Sequence, residues 1–152
     1  MFEGKYDHAV DPKGRVAVPS DFRRDLAGGS VISIGPEGRL VIWPNPAWEI
    51  HLRSLPVVAG TPSEQRTYFR QVHARTRQVE LDAQGRLLLS QPHREFAGIA
   101  ERATFVGMGD YVEVCSTERW EADSAHVTAD FFTELTDRIN PLGAAAPSAA
   151  PS

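Results

Sequence analysis

Two five-residue stretches, Asp11-Pro12-Lys13-Gly14-Arg15 and Asp82-Ala83-Gln84-Gly85-Arg86, share the spacing Asp-x-x-Gly-Arg. In a tight turn an aspartate accepts hydrogen bonds from backbone N–H groups about two residues on, and glycine tolerates the positive φ such a turn needs. The arginine then opens the return strand, with Lys13 at the tip of the first turn. Arginine can fork onto guanine O6 and N7 in the major groove, and lysine can contact phosphate or a base. Gln84 has the chemistry to reach adenine or phosphate. Asp11 and Asp82 have the wrong charge for DNA and are expected to hold the turn or orient the neighbouring arginine through a charge-assisted bond. Taken singly, such a unit is more simply a hairpin with a surface arginine.

Other chemistries lack their residue patterns. The histidines His8, His51, His73, His93 and His126 are scattered, with no His-Glu-x-x-His pair, and no Gly-x-Ser-x-Gly elbow or phosphate-binding loop occurs. Gly107-Met108-Gly109-Asp110 resembles half of a dinucleotide fingerprint but reads as a hairpin. One cysteine, Cys115, excludes an internal disulfide framework and a multi-cysteine zinc site, and its apolar strand marks it as core. The carboxylates of 118–137 read as an exposed acidic helix face. No catalytic residue, cofactor or metal site is expected, and the chain is not expected to be an enzyme.

The 152 residues are 41% hydrophobic and 24% charged, which argues against whole-chain disorder and is enough for a core without staples. No apolar run approaches the ~20 residues that span a bilayer, and no apolar segment follows Met1-Phe2-Glu3-Gly4-Lys5, so a cytoplasmic protein without a membrane partner is expected. The net charge of −4 hides a division: residues 1–100 hold 13 Lys+Arg against 11 Asp+Glu, and 101–152 hold 3 against 9. Arg66, Arg70, Arg75 and Arg77 follow one another with no acid between Gln65 and Val79. They read as a solvated helix face or a rim between protomers rather than as DNA contacts.

The twin motifs belong to an internal repeat. At an offset of 71, Val10–Val18 overlies Leu81–Leu89, and Phe22-Arg23 falls beside His93-Arg94. Leu40–Trp43 runs beside Val112–Cys115, and Trp48 falls beside Trp120 at an offset of 72. Two copies of one supersecondary unit, each too small to fold alone, would share a core. In each copy an extended stretch enters the Asp turn and a short strand leaves it (Arg15–Val18; Arg86–Leu89). A short helix follows, capped by Ser20 and stopped by Gly28 in the first copy, and entered at Ser90 or Gln91 before Pro92 and stopped by Gly98 in the second. A hairpin comes next: Val31–Ile34 with Leu40–Trp43, and Thr104–Val106 with Tyr111–Val114. A closing helix starts at Asn45-Pro46, with Asn45 as N-cap, and its equivalent starts at Ser116 or Thr117.

Thr61-Pro62-Ser63-Glu64 has the pattern of a capping box and opens a helix between the copies. A last helix over Asp130–Ile139 places Phe131, Leu135 and Ile139 at i, i+4 and i+8. Trp43, Trp48 and Trp120 are expected to occupy equivalent buried positions. The Ala/Pro/Ser-rich stretch from Pro141 is expected to be disordered.

These residues resemble the MraZ family, itself similar to the AbrB and SpoVT group of bacterial regulators. The resemblance rests on Met1-Phe2-x-Gly4-x-Tyr6-x-His8 leading to Asp11-x-Lys13-Gly14-Arg15, and on Pro19-x-x-Phe22-Arg23. It continues in Val79-Glu80-Leu81-Asp82-x-Gln84-Gly85-Arg86-Leu87-Leu88-Leu89, Arg94-Glu95-x-Ala97-Gly98 and Val106-Gly107-x-Gly109-Asp110 with Glu113 and Trp120. The chain departs from the family pattern in the later position of Pro92, in Cys115 where an aromatic is common, and in the tail. The resemblance implies a mainly β fold with peripheral helices (α+β): a double-split, swapped-hairpin β-barrel formed from two pseudo-symmetric repeats. The copies would occupy 1–55 and 77–125, with a helical connector at 56–76, a C-terminal helix at 126–140 and a disordered tail at 141–152.

It also implies a nucleoid-associated transcriptional regulator, a repressor of the division and cell-wall operon, that binds direct repeats in double-stranded promoter DNA as a ring-shaped homo-oligomer. Lys13, Arg15, Gln84 and Arg86 would then contact DNA, and Asp11, Gly14, Asp82 and Gly85 would stabilise the turns. The alternative is a protein-interaction or antitoxin-like module that does not bind DNA and works through its acidic C-terminal helices.

Overall fold

A computed structural model describes residues 1–55 and 60–140. The chain divides into two compact units, Met1–Thr117 and Glu118–Ser152. The first holds every strand described: β1 (Lys5–Ala9), β2 (Arg15–Ala17), β3 (Ser30–Ile34), β4 (Leu40–Pro44), β5 (Arg77–Val79), β6 (Arg86–Leu88), β7 (Arg102–Gly107) and β8 (Val112–Ser116). Its helices are α1 (Ser20–Ala27), α2 (Asn45–Ser54), α3 (Pro62–Ala74) and α4 (Gln91–Ala97). Helix α5 (Thr117–Ser124) begins at the boundary, and α6 (Ala129–Ile139) lies in the second unit. The expected disorder of 141–152 falls outside the described residues.

The pairing is antiparallel throughout and interleaves the two halves of the chain. Six strands form one sheet in the order β1-β7-β8-β4-β3-β5, and β2 pairs with β6 in a second. Exchanging β1–β4 with β5–β8 reverses the six-strand order and leaves every pairing intact. The register places Val16 opposite Leu87, so the pseudo-two-fold axis passes between these residues. The fold is therefore mainly β with helices, as the sequence led one to expect, but its strands do not close into a barrel. The three-residue strands β2 and β6 spend their ladder hydrogen bonds on each other, so β1 and β5 remain as edges of the larger sheet. An isolated bridge, Val10 to Val16, joins the end of β1 to β2.

Strand alternation sorts the apolar runs into two clusters. Ile32, Leu40, Ile42, Val112 and Val114 join Val16, Val18, Phe22, Leu26, Leu87, Leu89 and Phe105 in the main core. Their neighbours Val31, Val41 and Trp43 face the opposite way, onto Trp48 and Val72. Burial on both faces accounts for the continuous apolar composition of β3 and β4. Trp43 is stacked between His51 (4.3 Å) and Tyr111 (4.5 Å). Cys115 is buried, as its strand position suggested.

Most helix ends follow their local chemistry. Thr61 and Glu64 form the reciprocal capping box of α3, Ser90 caps α4, and Gly98 ends α4 at φ 64°. Three expectations fail. Ser20 and Asn45 are the first helical residues rather than N-caps; Pro19 and Pro44 hold the cap positions, with no side-chain capping bond. Proline fixes its own φ, which sets the angle of entry without a polar side chain. Trp43 and Trp48 are buried, but Trp120, the fourth residue of α5 as Trp48 is of α2, is only half-buried.

Candidate nucleic-acid interface

Each motif folds into the turn its residue types require, and the two turns match bond for bond. Asp11 Oδ1 accepts from the N–H groups of Lys13 (2.9 Å) and Arg15 (2.8 Å). Asp82 Oδ1 accepts from those of Gln84 and Arg86, both at 2.9 Å. Backbone bonds at 2.9 Å from Asp11 N to Arg15 O and from Asp82 N to Arg86 O close the two loops. Gly14 (φ 90°) and Gly85 (φ 76°) supply the left-handed residue in each. The carboxyls are correspondingly acidic. The Arg15 N–H, then that of Lys13, lowers the pKa of Asp11; the Arg86 N–H, then that of Gln84 and the Arg86 side chain, lowers that of Asp82.

A brace stands behind each turn. Gly14 O accepts from Leu89 N (2.8 Å) and Gly85 O from Val18 N (3.0 Å), so each turn is tied to the end of the other copy's short strand. Arg94 Nε donates to Leu89 O (3.0 Å) and Arg23 Nε to Val18 O (2.8 Å). An added Cβ at Gly14 would sit 2.7 Å from Leu89 O and 2.9 Å from Arg94 Nε; one at Gly85 would sit 2.7 Å from Arg23 Nε. The sequence aligned Arg23 with Arg94 but did not assign them this supporting role. Their recurrence at the same offset as the motif was the available signal.

The cations differ between the turns. Lys13 is exposed and Arg15 half-buried. Among the described residues neither side chain makes a hydrogen bond or ion pair, although the Arg15 charge helps lower the pKa of Asp11. Arg86 is held by carboxylates, with Nε 2.9 Å from Asp82 Oδ2 and Nη1 3.9 Å from Asp11 Oδ2, and so touches acidic side chains of both turns. Gln84 is exposed at the second tip.

The remaining candidates stay apart. His93 is buried with Nε2 2.7 Å from Arg75 O, an acceptor that requires the proton on that nitrogen; burial holds its pKa down. His51 stacks on Trp43, and His8 meets Phe105 edge-on at 6.0 Å. Arg66, Arg70 and Arg77 are exposed, whereas Arg75 is half-buried and bonded to Gln71.

The family model described as "MraZ protein, putative antitoxin-like" matches residues 1–67 and 73–140. Proteins named transcriptional regulator MraZ are similar along nearly their whole length. That of Lachnoclostridium phytofermentans is 36% identical over 143 residues, covering 94% of this chain and 98% of the relative. That of Herpetosiphon aurantiacus is 37% identical over 148 residues, covering 94% and 99%. That of Corynebacterium glutamicum is 33% identical over 142 residues, covering 93% and 99%.

Proposed function

The chain belongs to the MraZ family, and on that premise we propose that it is a transcriptional regulator that binds promoter DNA sequence-specifically through its two Asp-x-x-Gly-Arg turns. The relatives are named as regulators, not enzymes. The observation that carries the reading is the pair of carboxylate-locked turns with Lys13 and Arg15 uncommitted at one of them. A cation held on a rigid turn meets phosphate or a base edge with little ordering cost, and a free arginine fork matches guanine O6 and N7. Gln84 and Arg86 would be the second turn's contacts, with Asp82 orienting the Arg86 guanidinium at 2.9 Å.

One chain offers few cations and a net charge of −4, so its own grip on DNA is weak. A ring-shaped homo-oligomer would present the turns repeatedly to short direct repeats, and multivalency would raise the affinity. In this reading 1–55 and 77–125 are the two pseudo-symmetric repeats, 56–76 is the connector and 126–140 the terminal helix. The protein would act on the nucleoid in the cytoplasm as a repressor of the division and cell-wall operon.

The test is fluorescence anisotropy with duplexes carrying spaced promoter repeats. Arg15→Ala should weaken binding by about tenfold or more, the loss expected of a bidentate arginine–guanine contact. Lys13→Ala should lower the slope of log K against log salt by about 1. Binding of Arg15→Ala as tight as that of the unaltered protein would overturn the assignment.

A further inference from the structure

We propose that the groove beside α3 is the docking site for α6 of a second copy of this chain, a contact that builds the oligomer on which the proposed function rests. The groove has a volume of about 370 Å³ and runs between the β3–β4 hairpin and α3, lined by Ile34, Pro36, Thr67, Tyr68 and Val72. Tyr68 is 45% exposed in it. On the adjoining helix face stand Arg66 and Arg70, both exposed, in a stretch with no acid from Gln65 to Val79.

Helix α6 has the complementary pattern. Phe131, Leu135 and Ile139 fall at i, i+4 and i+8 with Phe132 beside them; Phe131 is 38%, Phe132 62% and Ile139 75% exposed, and Leu135 is half-buried. Large apolar side chains gathered on one exposed helix face mark a surface to be covered. Asp130, Glu134 and Asp137 run along the same helix, with Glu134 3.8 Å from Arg138 in an exposed pair. Asp130 and Glu134 repeat the four-residue spacing of Arg66 and Arg70, about 6 Å of rise on either helix. With the apolar stripe in the groove, both acids can therefore face both arginines in register.

The charge segregation of the chain, basic at α3 and acidic after residue 100, becomes two halves of one contact. One chain carries both halves, so a second copy can supply the helix to the groove, and the charge complementarity of α3 and α6 favours that occupant. Each copy has one groove and one α6, a head-to-tail arrangement that propagates and closes into a ring where the rotation permits.

The test is sedimentation velocity on the full chain. Arg66→Glu/Arg70→Glu should fall to smaller species, as should Asp130→Lys/Glu134→Lys, each with association weakened by about tenfold or more. An equimolar mixture of the two, or one chain carrying all four changes, should regain the original mass, because every groove then meets a helix of opposite charge. Unchanged mass in either reversed protein overturns the proposal, as does failure of both the mixture and the fourfold variant to reassemble. A second arm places Tyr68→Cys and Leu135→Cys on separately tagged copies. A disulfide joining the two tags is expected, and none, or a bridge only within a doubly substituted chain, counts against it. Failure of the unaltered, fully assembled protein to bind the promoter repeats would refute the DNA reading alone. Assembly and promoter binding that both survive charge reversal would refute this inference alone.

Discussion

Replacing either turn glycine with alanine separates the two motifs energetically, although they match bond for bond. Both substitutions force an L-residue into the left-handed region, at φ 90° for Gly14 and 76° for Gly85, a cost of about 1–2 kcal/mol. The neighbours differ. At Gly85 the three atoms nearest the added Cβ all belong to the flexible Arg23 side chain, with Nε at 2.7 Å and Cζ at 2.8 Å. Arg23 can swing away at the cost of its bond to Val18 O, about 0.5–1.5 kcal/mol. At Gly14 the nearest atom is the backbone carbonyl of Leu89 at 2.7 Å, with Arg94 Nε at 2.9 Å. Moving that carbonyl strains both the Arg94 bond and the Leu89 N–H bond to Gly14 O, roughly twice the hydrogen-bond cost. The sums are about 1.5–3.5 kcal/mol for Gly85→Ala and about 2–5 kcal/mol for Gly14→Ala, with centres about 1 kcal/mol apart. At about 4 °C of melting temperature per kcal/mol for a unit of this size, the two variants should differ by about 4 °C. Urea unfolding with calorimetry measures both, and anisotropy on the promoter repeats should show the larger affinity loss for Gly14→Ala. Equal destabilisation, the reverse order, or a change below about 1 kcal/mol at Gly14 would refute the account of the braced turns.

Acidification should destabilise the protein in two stages, readable as urea midpoints from pH 8 to 3. The folded pKa of His93 lies below its ordinary 6.5, so its contribution is complete above that value and declines as pH falls through the folded pKa. His93→Gln, which keeps a donor for Arg75 O, should flatten part of this limb, to which His51, also lowered by burial, contributes. Asp11 and Asp82 are depressed from 3.8, so theirs is complete above that value and disappears below it; Asp11→Asn should remove part of the lower limb. Leu87→Ala should cost about 2–5 kcal/mol, because Leu87 is 1% exposed and packs where the two copies meet; a midpoint within 0.5 kcal/mol of the parent would contradict that placement.

What the sequence made legible depended on how local the physics was. Asp11 with Arg15, and Asp82 with Arg86, were readable because a carboxylate bonded to N–H groups a few residues away leaves a fixed spacing. The Thr61–Glu64 box was readable for the same reason. Ser20 and Asn45 misled because each follows a proline, and the proline, not the polar residue, occupies the cap. Trp120 misled because the offset match fixes its place in α5, fourth as Trp48 is in α2, but not how deeply that place is buried. The partners of β1 and β5 were beyond reach, since no local pattern in Lys5–Ala9 specifies pairing with Arg102–Gly107. The braces of Arg23 and Arg94 escaped because their acceptors are backbone carbonyls, which carry no residue identity. The Arg66–Arg77 run was read as a solvated helix face or a rim between protomers, and its proposed counterpart on α6 came into view only with the exposed apolar residues of that helix.

The interleaving of strands bears on how the chain is made. As it emerges from the ribosome, β1 has no partner until β7 is synthesised, nearly a hundred residues later, and β3 must await β5 on one side. At about 5–20 residues per second, the nascent first half spends seconds with unsatisfied strand edges and a bare apolar face on Ile32, Leu40 and Ile42. A chain truncated before Arg102 lacks the strand that completes β1. The arrangement that fuses two motifs into one body thus ties its maturation to the last third of its own message.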